Sequence, residues 1–284
     1  MDVMLVFWIF HLPAMAVFVA GVVLSLTIWL HGTVDGRSDI SAGQKLLLLI
    51  RKALVTIFSA KLGALLWALI WNGAIHPTLF KEHKLRWVAH FCVFGGILLL
   101  TILSAFSFIT VDIMIPALKM DNIFTAIFAN KDHPITAFLN DFGGLAVMVG
   151  LAIVIIRRYV IRELDMRTRL VDSEIIFFLV VIMVSGYLAE ICRLSLEFAE
   201  LAPTAAYAFL GYPVASLVRN APLAWGDLHD WLFLVHALFS SVVIAYIPFS
   251  KFFHALAGAI IASVNSLSND EKPAVLHEVT YGEV

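Results

Sequence analysis

The chain has 284 residues, 61% of them hydrophobic and 14% charged, with a mean hydropathy of +0.94 and a formal net charge of -2. This composition excludes a soluble globular domain and describes a polytopic membrane protein, with no nucleic-acid partner expected. Only two cysteines occur, Cys92 and Cys192, far apart and without a C-x-x-C-H motif, so covalent haem and an iron–sulfur cluster within this chain are excluded as well.

The first apolar segment, near Met4–Leu30, follows an N-terminus without a positive n-region and carries no small-residue cleavage site, which reads as a retained first helix. Four more segments are long enough to cross: Trp87–Phe108, Phe138–Ile156, Ser173–Phe198 and Trp231–Ile261. The last exceeds a bilayer in length and contains Pro248, which removes a backbone donor and marks a kink. The stretch 44–75 is apolar in its second half but interrupted by Arg51, Lys52 and Lys61 in its first.

Loop charge chooses between five crossings and six. With 44–75 lying in the interface, 15 Lys and Arg residues fall on one side and three (Lys119, Lys131, Arg219) on the other, beside Asp112, Asp121, Asp132, Asp141 and Glu200. A sixth crossing strands Arg37, Lys45, Arg51 and Lys52 outside. The fold expected is therefore an all-α integral membrane bundle of five spans (residues 1–262) with an amphipathic interfacial helix. Its N-terminus is outside, its C-terminus inside, and a polar cytoplasmic tail covers 263–284.

Ten histidines are present, and depth sorts them. His236 and His254 are 18 residues apart in the fifth segment. On a straight helix that is five turns, placing both rings on one side and roughly 27 Å apart, close to the thickness of a bilayer core. His90 lies at the inner depth of His254. His11 lies, more loosely, at the outer depth of His236, with His229 as the alternative one heptad before His236. Two neutral imidazoles from facing helices make a six-coordinate b-type haem, which transfers electrons and keeps no open site. One haem per leaflet would carry electrons across the membrane.

In the fourth segment Glu190, Arg193 and Glu197 share one face at i, i+3 and i+7. Three charges there are either an ion-pair ladder or a functional face. In the second case Arg193 pairs a haem propionate, Glu190 exchanges protons with a quinone, and Tyr187 lines the same pocket.

Pro248-Phe249-Ser250-Lys251-Phe252-Phe253-His254 resembles the P-F-[ST]-[RK]-x-x-H signature that ends the last span of the respiratory nitrate reductase gamma subunit. That family also has a histidine 18 residues earlier, matched by His236, and Arg86-Trp87-Val88-Ala89-His90 looks like the start of its second span. The stretch before Arg86, the loop Lys131-Asp132-His133-Pro134 and Gly186-Tyr187-Leu188-Ala189-Glu190 look closer to a sister group. That group is the membrane cytochrome b of heterodisulfide reductase and of DsrM-type complexes. The resemblance covers roughly Ile50–Ala262.

The resemblance implies a haem b subunit of a quinone-linked oxidoreductase in the cytoplasmic membrane, with menaquinone as the quinone. The partner implied is an iron–sulfur subunit on the inner face, which holds the terminal chemistry, and an outer-face c-type cytochrome is a further candidate. His90 and His254 match ligands of the inner haem and His236 a ligand of the outer one. The nitrate reductase gamma pattern has a second histidine ten residues into span two, where this chain has Leu100. The outer haem then recruits His11 or another group, or is absent. The rival readings are a haem-free proton-relay or transporter subunit and a passive membrane anchor.

Overall fold

Apolar runs of 25–31 residues become helix, because in lipid only a helix satisfies every backbone N–H and C=O within one segment. The computed structural model describes residues 2–31, 41–59, 61–162, 170–201, 203–250 and 253. Among these described residues are five helices long and apolar enough to cross: Val3–Ile28, Lys84–Met114, Pro134–Ile161, Asp172–Leu196 and Trp225–Phe249. The expected all-α, five-span membrane fold is the one observed.

The chain divides into two compact units, Met1–Met15 with Glu82–Ile244, and Ala16–Lys81 with Ala245–Val284. Helix α1 (Val3–Leu30) begins in the first and ends in the second. The remainder of the second unit includes α2 (Ala42–Ile57), α3 (Lys61–Leu69), a π-helical turn Ile70–Ile75 and α4 (Pro77–Glu82). The single interfacial helix expected over 44–75 is thus two helices broken at Phe58–Ser59. Helix α2 exposes Leu46, Leu47, Ile50, Leu54 and Val55, and at the helical period Arg51 falls between Leu47 and Val55.

In the first unit, span two is built from α5 (Lys84–His90), a π-helical turn Phe91–Gly95, α6 (Gly96–Phe108) and a second π-turn Ile109–Met114. After α7 (Ile123–Ala129), the span of α8 (Pro134–Ile155) starts four residues earlier than hydropathy alone suggests. Pro134 occupies the first helical turn, where its missing N–H costs nothing, and His133 caps it by accepting from the Ile135 N–H at 3.3 Å. Helix α8 is central, packing on α5, α6 and α9 (Leu170–Leu196). Small residues set its closest approaches. A Cβ on Gly150 would stand 2.6 Å from Val93 Cγ2, and one on Gly96 would stand 2.7 Å from the Gly143 carbonyl oxygen. Leu100 lies against Gly143, 3.1 Å from where a Cβ would be, so the position at which the family pattern carries a histidine is filled by interhelical packing.

A buried cluster of Ala137, Leu194, Ala205, Ala208 and Ala215 joins α8, α9, a short 3-10 turn Pro203–Tyr207 and α10 (Gly211–Val218). The last span, α11 (Trp225–Tyr246), does not continue as a straight helix to His254. It passes into a 3-10 turn, Ile247–Phe249, and Ser250 is extended at φ -114°, ψ 173°. Pro248 supplies the reason, since it lacks the N–H that would bond one turn back and its ring clashes with that carbonyl. The premise that His236 and His254 share one unbroken helix is therefore corrected: the α-helix carrying His236 stops eight residues before His254, which itself lies outside the described residues.

Candidate functional site

His236 projects from α11 onto α9, where its Nδ1 is 2.8 Å from the Ile182 carbonyl oxygen. A carbonyl only accepts, so Nδ1 carries the proton and the Nε2 lone pair is left over. The approach depends on Gly186, one turn along α9. A Cβ there would lie 2.9 Å from Nδ1 and 3.0 Å from Cε1.

His11, on α1, has its Nδ1 2.8 Å from Ser241 Oγ on α11, and its ring stacks on Phe7 at 4.7 Å. The Ser241 hydroxyl donates its one proton to the Ala237 carbonyl at 2.7 Å. With that donation made, its oxygen accepts from His11, the tautomer that carries the proton on Nδ1 and the lone pair on Nε2. Among the described residues no hydrogen bond reaches Nε2 of either ring. An imidazole tethered through Nδ1–H with Nε2 left for a metal is the arrangement of metal-ligating histidines.

The other histidines sort differently. His90 is half-buried at the end of α5, its ring stacked on Phe94 at 5.5 Å, immediately before the π-turn that re-aims the rest of the span. His229 has Nδ1 3.2 Å from the Asp230 carboxylate and stacks on Phe233 at 6.3 Å. Its pairing is with a charged neighbour rather than with the tether seen at His11 and His236. Among the described residues no group of three or more His, Cys, Asp or Glu converges as for a protein-bound metal ion. A six-coordinate haem asks for a pair, not a triad.

The charged face of α9 is a closed network. Arg193 donates from Nε and Nη2 to Glu190 (3.2 and 2.8 Å), from Nη2 and Nη1 to Asp132 (2.8 and 3.4 Å), and from Nη1 to Glu197 (3.2 Å). Those five bonds use all five guanidinium N–H groups. In this arrangement the three charges form an ion-pair ladder that engages every Arg193 N–H. Glu190 and Glu197 remain partly exposed.

Asp141, two turns into α8 and buried, accepts through Oδ2 from the Leu210 and Gly211 N–H groups at 2.6 and 3.3 Å, and so caps α10. Tyr187 donates to the Asp141 backbone carbonyl at 2.8 Å, a positional bond between α9 and α8. Asp141→Ala strands two buried N–H groups. It is expected to cost about 1–3 kcal/mol, read as a lower unfolding midpoint in detergent with Asp141→Asn intermediate. Equal midpoints for all three chains would remove the capping role.

Four residues that shape these contacts, Asp132, Asp141, Gly186 and Ser241, are not site candidates on sequence grounds. An acid inside an apolar span is the available signal for Asp141, and Asp132 lies in a loop that carries part of the family resemblance. Gly186 opens another stretch that carries part of that resemblance, and Ser241 carries no local signal.

A family model described as the nitrate reductase gamma subunit matches residues 69–265. The chain is 32% identical over 130 residues to the Hdr-like menaquinol oxidoreductase cytochrome b-like subunit of Archaeoglobus profundus, covering 45% of this chain and 36% of that one. It is 26% identical over 205 residues to one subunit of the dihydromethanophenazine:CoB--CoM heterodisulfide reductase of Methanosarcina acetivorans, covering 71% of this chain and 66% of that one. The matches span about a third and just under two thirds of those relatives. No solved structure matches. The family model covers well over half of the residues, and with five spans and the histidine-bearing helices in place, the chain belongs to the nitrate reductase gamma subunit family.

Proposed function

We propose that this chain is the haem b subunit of a membrane redox complex, exchanging electrons between menaquinone and an iron–sulfur partner subunit. The observation that carries the reading is the shared tether of His236 and His11. Each sits in a membrane span with Nδ1–H bonded and no hydrogen bond at Nε2 among the described residues, the protonation that iron ligation by an imidazole requires. The names of the two relatives support a cytochrome b-like role in a quinol-linked or heterodisulfide-linked complex.

In this reading His236 and His11 hold the outer haem, and His90 and His254 the inner one. When bound, each haem supplies a one-electron carrier without a substrate site. Arg193 organises Asp132, Glu190 and Glu197, and Glu190, partly exposed, exchanges protons where quinone reacts. The chain lies in the cytoplasmic membrane with its N-terminus outside, by the distribution of loop Lys and Arg. The iron–sulfur partner docks on the inner, basic face, and an outer c-type cytochrome is a further candidate.

The test is a dithionite-reduced minus oxidised spectrum of the purified chain, with haem counted per polypeptide. Two b-type haems are expected. One haem removes either the outer or the inner pair from the proposal. None in a folded preparation overturns it in favour of a proton-relay subunit or an anchor. Gly186→Ala is expected to push the His236 ring off Ile182 and to change the g values of one low-spin haem signal. An unchanged spectrum would show that the Ile182 tether does not orient a ligand.

A further inference from the structure

The tether of His236 is a main-chain carbonyl, which no substitution removes. That of His11 is a side chain, and so the sequence controls it. Ser241 is 2% exposed, and nothing about a serine in an apolar helix requires it to meet a histidine 230 positions earlier in the chain. A lone membrane serine is satisfied by bonding the carbonyl one turn back, as Ser241 does with Ala237. That bond has a second consequence here. It consumes the only hydroxyl proton, and the oxygen is left as an acceptor facing His11.

We propose that Ser241 is a positioning residue for iron ligation by His11. Its oxygen, polarised by donation to the Ala237 carbonyl, holds the His11 proton on Nδ1, fixes the ring against α11 and presents Nε2 to the iron. This rests on the ligand role of His11 proposed above. Ala237 and Ser241 then form a relay of two hydrogen bonds, carbonyl to hydroxyl to imidazole, on the helix that also carries His236. Chained bonds of this kind strengthen one another in a low-dielectric interior. The polarised Nδ1–H makes the imidazole a better donor to ferric iron, so the relay orients the ligand and lowers the potential of its haem.

The experiment compares the full-length chain with Ser241→Ala, Ser241→Thr, His11→Ala and the His11→Ala/Ser241→Ala double variant. Each is assayed for haem per polypeptide, by optical redox titration and by low-spin electron paramagnetic resonance. Ser241→Ala introduces a good helix former, and circular dichroism and elution volume check that it folds. Its expected result is a ten- to hundredfold weaker retention of one haem, the range for loss of an outer-shell partner. The midpoint potential of that haem rises and the other is unmoved. Ser241→Thr keeps a hydroxyl and restores both values, and the double variant is no worse than His11→Ala alone. Ser241→Ala with the haem content, potentials and g values of the parent overturns the proposal, as does Ser241→Thr behaving like Ser241→Ala. His11→Ala retaining both haems also overturns it. A haem-free parent is a different failure, since it removes the functional reading itself.

Discussion

Arg193→Met is expected to destabilise the folded chain by about 3 kcal/mol, the low end of the range for stranding buried charge. The guanidinium is the shared counter-charge of three carboxylates: Asp132 from the loop before α8, and Glu190 and Glu197 from its own helix. Its side chain is 13% exposed, so its own desolvation is offset only by these bonds. Removing it leaves three acids at the end of a membrane span with no other cation bonded to them among the described residues. The cost stays below that of a fully buried network because Glu197, 48% exposed, can relax into water. Arg193→Lys should lie between parent and Met, because an ammonium keeps the charge but cannot fork to three acceptors at once. The unfolding midpoint in detergent reads all three, and a Met variant as stable as the parent would mean the network contributes nothing. The same variants test the two readings of this face. Had Arg193 been aimed at a propionate, its loss would have altered a haem signal first and stability second. The expected order is the reverse.

His236→Ala is expected to remove one haem of two while leaving the helical content in place. The ring is the larger part of what fills the space beside Gly186, and its tether to Ile182 connects α11 to α9. Losing the ligand itself should weaken haem retention more than the ten- to hundredfold typical of an outer-shell change. The count of haem per polypeptide should therefore fall by about one. Aromatic contacts of Phe239 with Phe177 and Phe178 also join the two helices, which is why the fold is expected to survive. Two intact haems in this variant would exclude His236 as a ligand and move attention to His229, whose ring is oriented by Asp230.

Spans, loop charge and the face of α9 are readable from the residues because each is a local property. A helix forms in lipid wherever some twenty apolar residues follow one another. Glu190, Arg193 and Glu197 share a face by the 3.6-residue period alone. That same period misleads at the C-terminal end. It holds only for an unbroken helix from His236 to His254, whereas Pro248, already legible as a kink, and the extended Ser250 end the α-helix at Tyr246. The π-turns at Phe91–Gly95 and Ile109–Met114 likewise reset the register of span two in a way no average period anticipates.

The partners that give the site its chemistry are remote in sequence: Asp132 reaches Arg193 across 61 positions, Asp141 the start of α10 across 69, and His11 meets Ser241 across 230. Hydrophobic length and helical period act within a segment, so composition suffices to read them. A hydrogen bond between helices depends on which faces meet and at what depth, and packing at small residues such as Gly96, Gly150 and Gly186 sets that. The protons on His11 and His236 follow from those meetings alone.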